Sequence, residues 1–282
     1  MSDVNIYRLS LPESGAQISP PVRFLYSSRD ELNPKYSADG KQIAFESNRA
    51  GSHGIWVSNA DGSNVVEVIR LGGGQRWSPD GQSLAFHSNV GGASGVYVVR
   101  ASGGKPVRFT FGSDDGADEG TPSWSHDGKW IYFYSGWSGQ SQIRKVPAGS
   151  GKAVQVTDSG GLSPVESPDA KFLYFIRWPD DGSNNKLWKI PVGGGVGSQI
   201  LASVSYYNFE LMDDGIYFIS KPDKSGKAEL KFLSFATNAV KTITTLPGQI
   251  TYGLAVTPDR RWVLYATNDL SGSDLMLVEN FR

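Results

Sequence analysis

A ten-residue pattern around an Asp-Gly turn recurs along the whole chain and limits the folds that it can adopt. Its six turn aspartates are separated by 41, 47, 42, 45 and 45 residues. The copies are YSADGKQIAF (36–45), WSPDGQSLAF (77–86), WSHDGKWIYF (124–133), ESPDAKFLYF (166–175), LMDDGIYF (211–218) and VTPDRRWVLY (256–265). A period of 41 to 47 residues is typical of four-stranded propeller blades.

Four strand signals follow one another within each period. A short inner strand precedes the turn, and an apolar triplet such as Ile43-Ala44-Phe45 follows it. Three successive apolar residues indicate a strand buried on both faces. A Gly-, Ser- and Asn-rich loop then leads to a third strand such as GIWVSNA, and a second turn leads to an outer strand such as VVEVI. Helical periodicity of useful length is missing, so we expect very little helix.

Six such units predict an all-β chain that forms one six-bladed β-propeller of four-stranded antiparallel blades, closed by an N-terminal strand. The predicted domain spans residues 1–282. Its blades are predicted at approximately 31–70, 71–111, 119–158, 162–202, 204–246, and 249–282 together with 1–28.

The two ends of the chain are expected to complete the sixth blade. The last unit stops after DLMLVENF without an outer strand, whereas VRFLYSS near the N-terminus reads as one. We therefore predict that residues 22–28 pair beside residues 274–281, which removes exposed sheet edges. On this prediction NIYRLSL (5–11) is a surplus strand.

The repeated aspartate is predicted to form turns rather than to catalyse. In residues 78–81 Pro79 presets the second turn position, Asp80 takes the third, and Gly81 supplies the left-handed conformation. Copies about 45 residues apart around a ring lie too far from each other to form an acid–base pair. Ala170 and Arg260 replace the glycine, so we expect those two turns to be strained or differently shaped.

Composition excludes several classes of function. The 27 basic and 28 acidic residues nearly cancel, so a nucleic-acid partner for this domain is not expected. The absence of cysteine excludes disulfides, thiolate catalysis and cysteine metal sites. No apolar run is long enough to span a bilayer, and the first residues lack the pattern of a signal peptide. We therefore expect a monomer that is cytoplasmic as written, or periplasmic if it is part of an exported or membrane-anchored parent.

The aromatic-Ser-Pro-Asp-Gly motif followed by an apolar strand resembles the TolB-like propeller repeats, also described as WD-repeat-like. The similarity is strongest over 33–69, 74–110 and 121–157. More narrowly, LYSSRDELNPKYSADGKQIAFESNRAGSHGIWVSNADGSN (25–64) together with SGSDLMLVENFR (271–282) resembles the C-terminal propeller of bacterial winged-helix transcriptional regulators. That resemblance implies a sensor or interaction module. Since no basic helical domain is present, it does not imply DNA binding.

The broader family includes periplasmic propellers that take a partner's peptide segment at the channel mouth, and propellers that gate peptidases. For this chain the resemblance therefore implies a protein segment or a small polar ligand at the channel mouth as the partner.

The sequence motifs that could indicate catalysis, metal binding or phosphate binding are weak. His126 occupies a turn position, His87 lies just past an apolar triplet and His53 lies in a glycine-rich loop, so a histidine metal site is not expected. The acidic loop GSDDGADEG (112–120) does not fit a calcium-loop pattern, and GSGK (149–152) lacks the spacing of a phosphate loop. We therefore predict no catalytic residues, metal ligands or cofactors.

Binding residues are predicted where side chains depart from the repeat. The loops between second and third strands, and those from an outer strand to the next blade, share one face of a propeller. Aromatic residues and arginine are enriched where binding energy concentrates. The candidates on this face and at the channel mouth are Lys35, Arg76, Trp137, Arg177, Trp178, Tyr206, Tyr207, Glu210 and Tyr252.

We therefore predict a non-enzymatic propeller that binds a protein segment or small ligand, as the sensor or interaction module of a bacterial regulator. One alternative is a propeller enzyme, such as a sugar lyase, lactonase or glycosidase that uses channel carboxylates. Another is a structural or engineered repeat scaffold without a ligand. For the aromatic loop residues, packing between blades remains the alternative to binding.

Overall fold

A computed structural model describes residues 3–11, 18–90, 94–110, 118–136, 141–149, 151–178 and 185–268. Within these ranges the chain forms 24 β-strands, numbered β1–β24, and no α-helix. They assemble into six sheets of four antiparallel strands each. The predicted all-β six-bladed propeller is thus confirmed.

Five blades are built from consecutive strands, listed here from the inner to the outer strand. The first has β3 (Glu31–Tyr36), β4 (Gln42–Ser47), β5 (Gly54–Asn59) and β6 (Val66–Arg70), and the second has β7 (Gly73–Trp77), β8 (Ser83–Ser88), β9 (Gly95–Arg100) and β10 (Val107–Arg108). The third has β11 (Glu119–Trp124), β12 (Trp130–Ser135), β13 (Gln142–Pro147) and β14 (Val154–Gln155). The fourth has β15 (Leu162–Glu166), β16 (Phe172–Arg177), β17 (Lys186–Pro191) and β18 (Ser198–Leu201), and the fifth has β19 (Phe209–Met212), β20 (Gly215–Ile219), β21 (Ala228–Ser234) and β22 (Val240–Leu246).

The sixth blade combines both ends of the chain. Its inner strands are β23 (Gln249–Val256) and β24 (Trp262–Asn268), and its outer strands are β1 (Val4–Ser10) and β2 (Val22–Leu25). Strand β1 pairs with the whole length of β24, and β2 pairs with β1.

The prediction that NIYRLSL is a surplus strand was therefore wrong. Ile6 and Leu9 are buried in the core, and the segment occupies the third position of the blade. Residues 22–25 consequently pair with β1, and residues 274–281, which were expected beside them, lie outside the described residues.

The core lies between neighbouring sheets, where the apolar triplets pack. Ile43, Ala44 and Phe45 of β4 are fully buried, as a strand covered on both faces should be. Burial of a large apolar side chain stabilises the fold by about 1.5–3 kcal/mol. The repeat-equivalent tryptophans are less uniform than expected, because Trp77 is buried whereas Trp56, Trp124 and Trp188 are half-buried.

The Asp-Gly motifs form turns, as the sequence predicted, and these turns satisfy their own polar groups. In the turn after β7, the hydroxyl of Ser78 and the backbone N–H of Gln82 both donate to Oδ1 of Asp80. These hydrogen bonds lower the pKa of the Asp80 carboxyl. The same pattern of bonds recurs at Asp39, Asp127 and Asp169.

Ala170 and Arg260 keep the glycine conformation at a cost. Their φ angles of 55° and 57° lie close to the 68° of Gly81. A side chain in this left-handed region costs roughly 1–2 kcal/mol. The two turns are therefore strained and have the same shape as the others.

Candidate functional site

A cavity of about 870 Å³ occupies one end of the central channel. Its walls come from the inner strands of the blades, and its rim comes from loops between second and third strands. His53, Ser141 and Trp178 lie on such loops, while Leu71 and Asp118 belong to connections between blades. The cavity thus opens on the loop face that the sequence predicted for binding.

The inner strands are interrupted at equivalent positions where they line this cavity. Register breaks occur in β3, β7, β11, β15 and β23. A left-handed residue sits at each break, namely Asn33, Gly74, Thr121, Ser163 and Gly253. Bulges of this kind redirect side chains and are over-represented beside active sites. Here they place polar groups of the inner strands against the channel.

Hydrogen bonds between blades fix these bulges. The Gln75 side-chain amide donates to the carbonyl of Asn33 at 2.7 Å, and the Ser163 N–H donates to Oγ1 of Thr121 at 3.1 Å. Asn208, which is fully buried, accepts from the N–H of Gly253 at 2.7 Å. Groups that the sheet ladder leaves unpaired are thereby satisfied, so the channel wall is held in one geometry.

Two cationic side chains lie together in the wall. Nζ of Lys35 is 2.7 Å from Oε2 of Glu210, and it also donates to the carbonyl of Leu254. Burial and, to a smaller extent, the charge of the nearby Arg76 lower the pKa of Lys35 to about 8, although Glu210 opposes both effects. Burial likewise lowers the pKa of Arg76. Its guanidinium donates to the carbonyl of Gln75 at 3.2 Å and forms no ion pair with any described carboxylate.

A carboxylate on β4 connects three parts of the wall. Oε1 of Glu46 accepts from the Asn33 side chain at 2.9 Å and from the N–H of Gly74 at 2.7 Å. Its Oε2 accepts from the hydroxyl of Tyr252 at 3.3 Å. Burial and the charge of Glu46 raise the pKa of Tyr252, which keeps that phenol protonated.

Aromatic side chains surround the open end of the cavity. Tyr134, Tyr207 and Tyr252 all line the cavity, and burial is the main cause that raises the pKa of each phenol. Trp178 is 59% exposed at the rim. An aromatic rim above a polar base that contains the unpaired guanidinium of Arg76 can hold an extended ligand that has both apolar and anionic groups.

The structure brings most of the predicted binding residues to this end of the channel. Lys35, Arg76, Trp178, Tyr207 and Tyr252 line the cavity, and Glu210 reaches Lys35 from the fifth blade. The remaining predicted residues are not gathered there.

Arg177 stacks on the ring of Trp188, with 4.6 Å from its Cζ to the ring centroid. Tyr206 is 52% exposed outside the cavity lining. Trp137 lies outside the described residues, as does most of the acidic loop 112–120.

Sequence reasoning missed Glu46, His87 and Asn208. His87, predicted as a strand-end residue, lies within β8 and lines the cavity, and its Nδ1 is buried without a hydrogen-bond partner. A signal for the bulges was present, because Pro34, Pro122 and Pro164 fall inside inner strands, where proline is confined to bulges and edges.

The described residues contain no cluster of three or more His, Asp or Glu side chains that could hold a metal ion. The cavity carboxylates are instead hydrogen-bonded to protein groups, as Asp118 is to the hydroxyl of Tyr134 at 2.6 Å. Across the described part of the chain, no helix is long and apolar enough to cross a membrane.

Residues 70–181 match the family model described as the TolB beta propeller domain, PD40. This segment therefore carries TolB-like propeller repeats. The fold is similar to that of a protein assigned as TolB from Agrobacterium tumefaciens, with a TM-score of 0.75 and 18% identity over 95% of this chain and 99% of that one. It is also similar to TolB from Acinetobacter baumannii, with a TM-score of 0.66 and 21% identity over 96% of this chain and 64% of that one.

Some enzymes share the fold but are less similar to this chain in structure. An oligogalacturonate lyase from Vibrio parahaemolyticus has a TM-score of 0.58 and 14% identity, over 92% of this chain and 77% of that one. No curated protein matches the chain in sequence. The structural similarities, all at low identity, show the propeller fold alone.

Proposed function

We propose that this chain is a non-enzymatic β-propeller that binds a protein segment in the channel cavity. The observation that carries the proposal is the composition of the cavity, in which exposed Trp178 and the tyrosine group lie above the cationic pair of Lys35 and Arg76. Tryptophan, tyrosine and arginine are the residues in which interface binding energy concentrates. The bonds between blades hold the wall rigid, which reduces the entropic cost of binding.

The arrangement of the carboxylates favours binding over catalysis. A glycosidase needs two carboxylates facing a common substrate bond. Glu46 is committed to three protein donors, and Glu210 is ion-paired with Lys35. Neither is free to act as a general base unless the wall rearranges.

The proposed parent protein is a bacterial regulator in which this propeller is the sensor or interaction module. The support is the resemblance of residues 25–64 and 271–282 to the regulators' C-terminal propellers. In such a parent the domain would act as a monomer in the cytoplasm, and binding at the channel mouth would be the signal.

Selection from a phage-displayed library of short peptides tests the proposal. We expect peptides to be enriched and to bind with micromolar Kd, and Trp178→Ala to weaken binding at least about tenfold, as the loss of a hot-spot aromatic does. Since Trp178 is 59% exposed, its replacement should leave Tm nearly unchanged.

Tyr26→Ala is the matched control, because Tyr26 is also 59% exposed but lies outside the cavity lining. Equal binding by wild type and both variants would contradict the assignment of the cavity. A loss of several degrees in Tm for Trp178→Ala would mark Trp178 as a packing residue.

A further inference from the structure

The channel wall contains one guanidinium, that of Arg76, that forms no ion pair with any described carboxylate. Lys35 and Arg76 occupy equivalent positions in β3 and β7, each directly before the aromatic residue that ends its strand. Burial lowers the pKa of both residues, and the charge of Arg76 adds to the lowering of the Lys35 pKa. Two like charges in a partly desolvated channel repel each other.

Of the two cations, only Lys35 forms an ion pair with a nearby carboxylate among the described residues. Glu210 pairs with Lys35 at 2.7 Å. Glu46 and Glu210 attract Arg76 from a distance, yet neither forms an ion pair with it. The guanidinium has five N–H donors, and the one hydrogen bond described for it goes to the carbonyl of Gln75. Arg76 is thus left with free donors beside an open cavity.

A third polar side chain, that of His87, lines the same cavity. Nδ1 of His87 is buried in the cavity wall without a partner. A Cβ at position 74 would lie 2.7 Å from this atom, so Gly74 leaves the space in which the imidazole sits.

We propose that the segment bound in the channel is acidic and that the carboxylate of one Asp or Glu side chain pairs with Arg76, beside Lys35 and His87. Arginine recognises carboxylates through two parallel N–H donors. The apolar wall residues Leu71, Leu162 and Leu254 would contact the side chains that flank the carboxylate. This inference rests on the proposed function and names the chemistry of its ligand.

The test compares enriched peptides with versions in which each Asp or Glu is replaced by Asn or Gln. Calorimetry with wild-type protein should show one acidic position whose replacement weakens binding at least about tenfold, as loss of a charge-assisted bidentate pair does. Arg76→Gln should abolish this discrimination. Arg76→Lys should retain part of it, because the charge remains without the planar fork.

Arg100→Gln is the matched control, since Arg100 lies exposed at the end of β9 in the same blade, and it should discriminate as wild type does. Tm and circular dichroism establish that each variant is folded. If Arg76→Gln fails to fold, Arg76→Lys together with the salt dependence of wild-type binding decides, and a salt-independent Kd overturns the proposal.

The outcomes separate this inference from the proposed function. Enriched peptides without any preference for an acidic residue, or with a preference that survives in Arg76→Gln, overturn the acidic-ligand inference alone. A library from which nothing is enriched overturns both. Arg76-dependent binding of oligogalacturonate that is tighter than that of any peptide would show that the carboxylate comes from a sugar, and would overturn the choice of a peptide.

Discussion

Arg76 and Asp80 lie four residues apart in one hairpin but belong to two different kinds of surface. The Asp80 carboxylate accepts from the Ser78 hydroxyl and the Gln82 backbone, so its partners come from its own turn. Arg76 has Gln75 as its one local partner, and the charges that act on it come from Glu46 of the first blade and Glu210 of the fifth.

The difference explains which part of a repeat can vary. A turn closed by its own side chains is independent of the other blades, so the same residues serve in every copy. The channel wall depends on side chains from several blades, so equivalent positions carry Lys35, Arg76, Ser123 and Glu210. Function is therefore expected in the channel, where the residues differ, rather than at the turns.

The largest expected effect comes from glycines in the two regions. A Cβ at Gly253 would lie 2.7 Å from the backbone of Asn33, and its φ of 129° disfavours other residues. Strain and overpacking together predict that Gly253→Ala lowers the free energy of unfolding by about 4 kcal/mol. Gly81→Ala has open space around it and should cost about 1 kcal/mol.

Urea denaturation of the two variants measures this contrast. Equal losses at positions 253 and 81 would show that the channel wall yields as easily as a surface turn. That result would contradict the rigid wall on which the proposed binding depends.

A second contrast concerns hydrogen bonds at the two sites. Asn208 accepts from Gly253 N–H and donates to the carbonyl of Thr251, both at 2.7 Å. Asn208→Ala leaves the buried N–H of Gly253 and the half-buried carbonyl of Thr251 without these partners, and we expect a loss of about 2–3 kcal/mol. Ser78→Ala removes bonds that water can replace in part, so its loss should be about 1 kcal/mol.

Hydrogen exchange locates the effect of Asn208→Ala. Protection should fall for the amides of β19 and β23, with the first three blades unaffected. Uniform loss of protection around the ring would instead indicate that the propeller unfolds as one unit and that Asn208 has no local role.

The parts of the fold that the sequence predicted depend on interactions between residues close in the chain. The turn motif and the triplet Leu84-Ala85-Phe86 recur because each contains its own chemistry, and the triplet is buried as expected. Closure was predicted in principle but with the wrong strand, because the position of β1 depends on pairing with β24 about 260 residues away.

The candidate site was predicted in part for a related reason. Aromatic and charged side chains that depart from the repeat identified Trp178, Tyr207 and Arg76, which line the cavity. Glu46 was not identified, because its importance comes from Asn33, Gly74 and Tyr252, which converge only after bulging and ring closure. The prolines inside inner strands could have predicted the bulges, but not the groups that they bring together.

The smallest expected effect is a difference in pH dependence between the two regions. Turn hydrogen bonds lower the pKa of Asp127 from 3.8 to about 2. The stability from this carboxylate is present above pH 4 and is lost as the pH falls from about 4 to 2. Asp127→Asn should therefore flatten the dependence of unfolding free energy on pH in this acid range alone.

Lys35 affects stability at alkaline pH, and its charged form destabilises the fold, whereas the charged form of Asp127 stabilises it. Its pKa falls from 10.5 to about 8 on folding, so below pH 8 the fold bears the cost of a buried charge. As the pH rises from about 8 towards 10, the folded protein loses the proton first and gains stability relative to the unfolded chain. Urea unfolding from about pH 7 to 9.5 should show this rise in wild type and lose it in Lys35→Met.

An unchanged alkaline slope in Lys35→Met would place the charge of Lys35 in solvent rather than in the channel wall. Since burial raises the pKa of Tyr36 and Tyr132, their ionisation affects stability only above about pH 10, outside the measured range. The alkaline rise in unfolding free energy should disappear in Lys35→Met and persist in Asp127→Asn. These two results would assign the cost of charge burial to the channel wall, and not to the turns, where hydrogen bonds compensate the charge of the carboxylate locally.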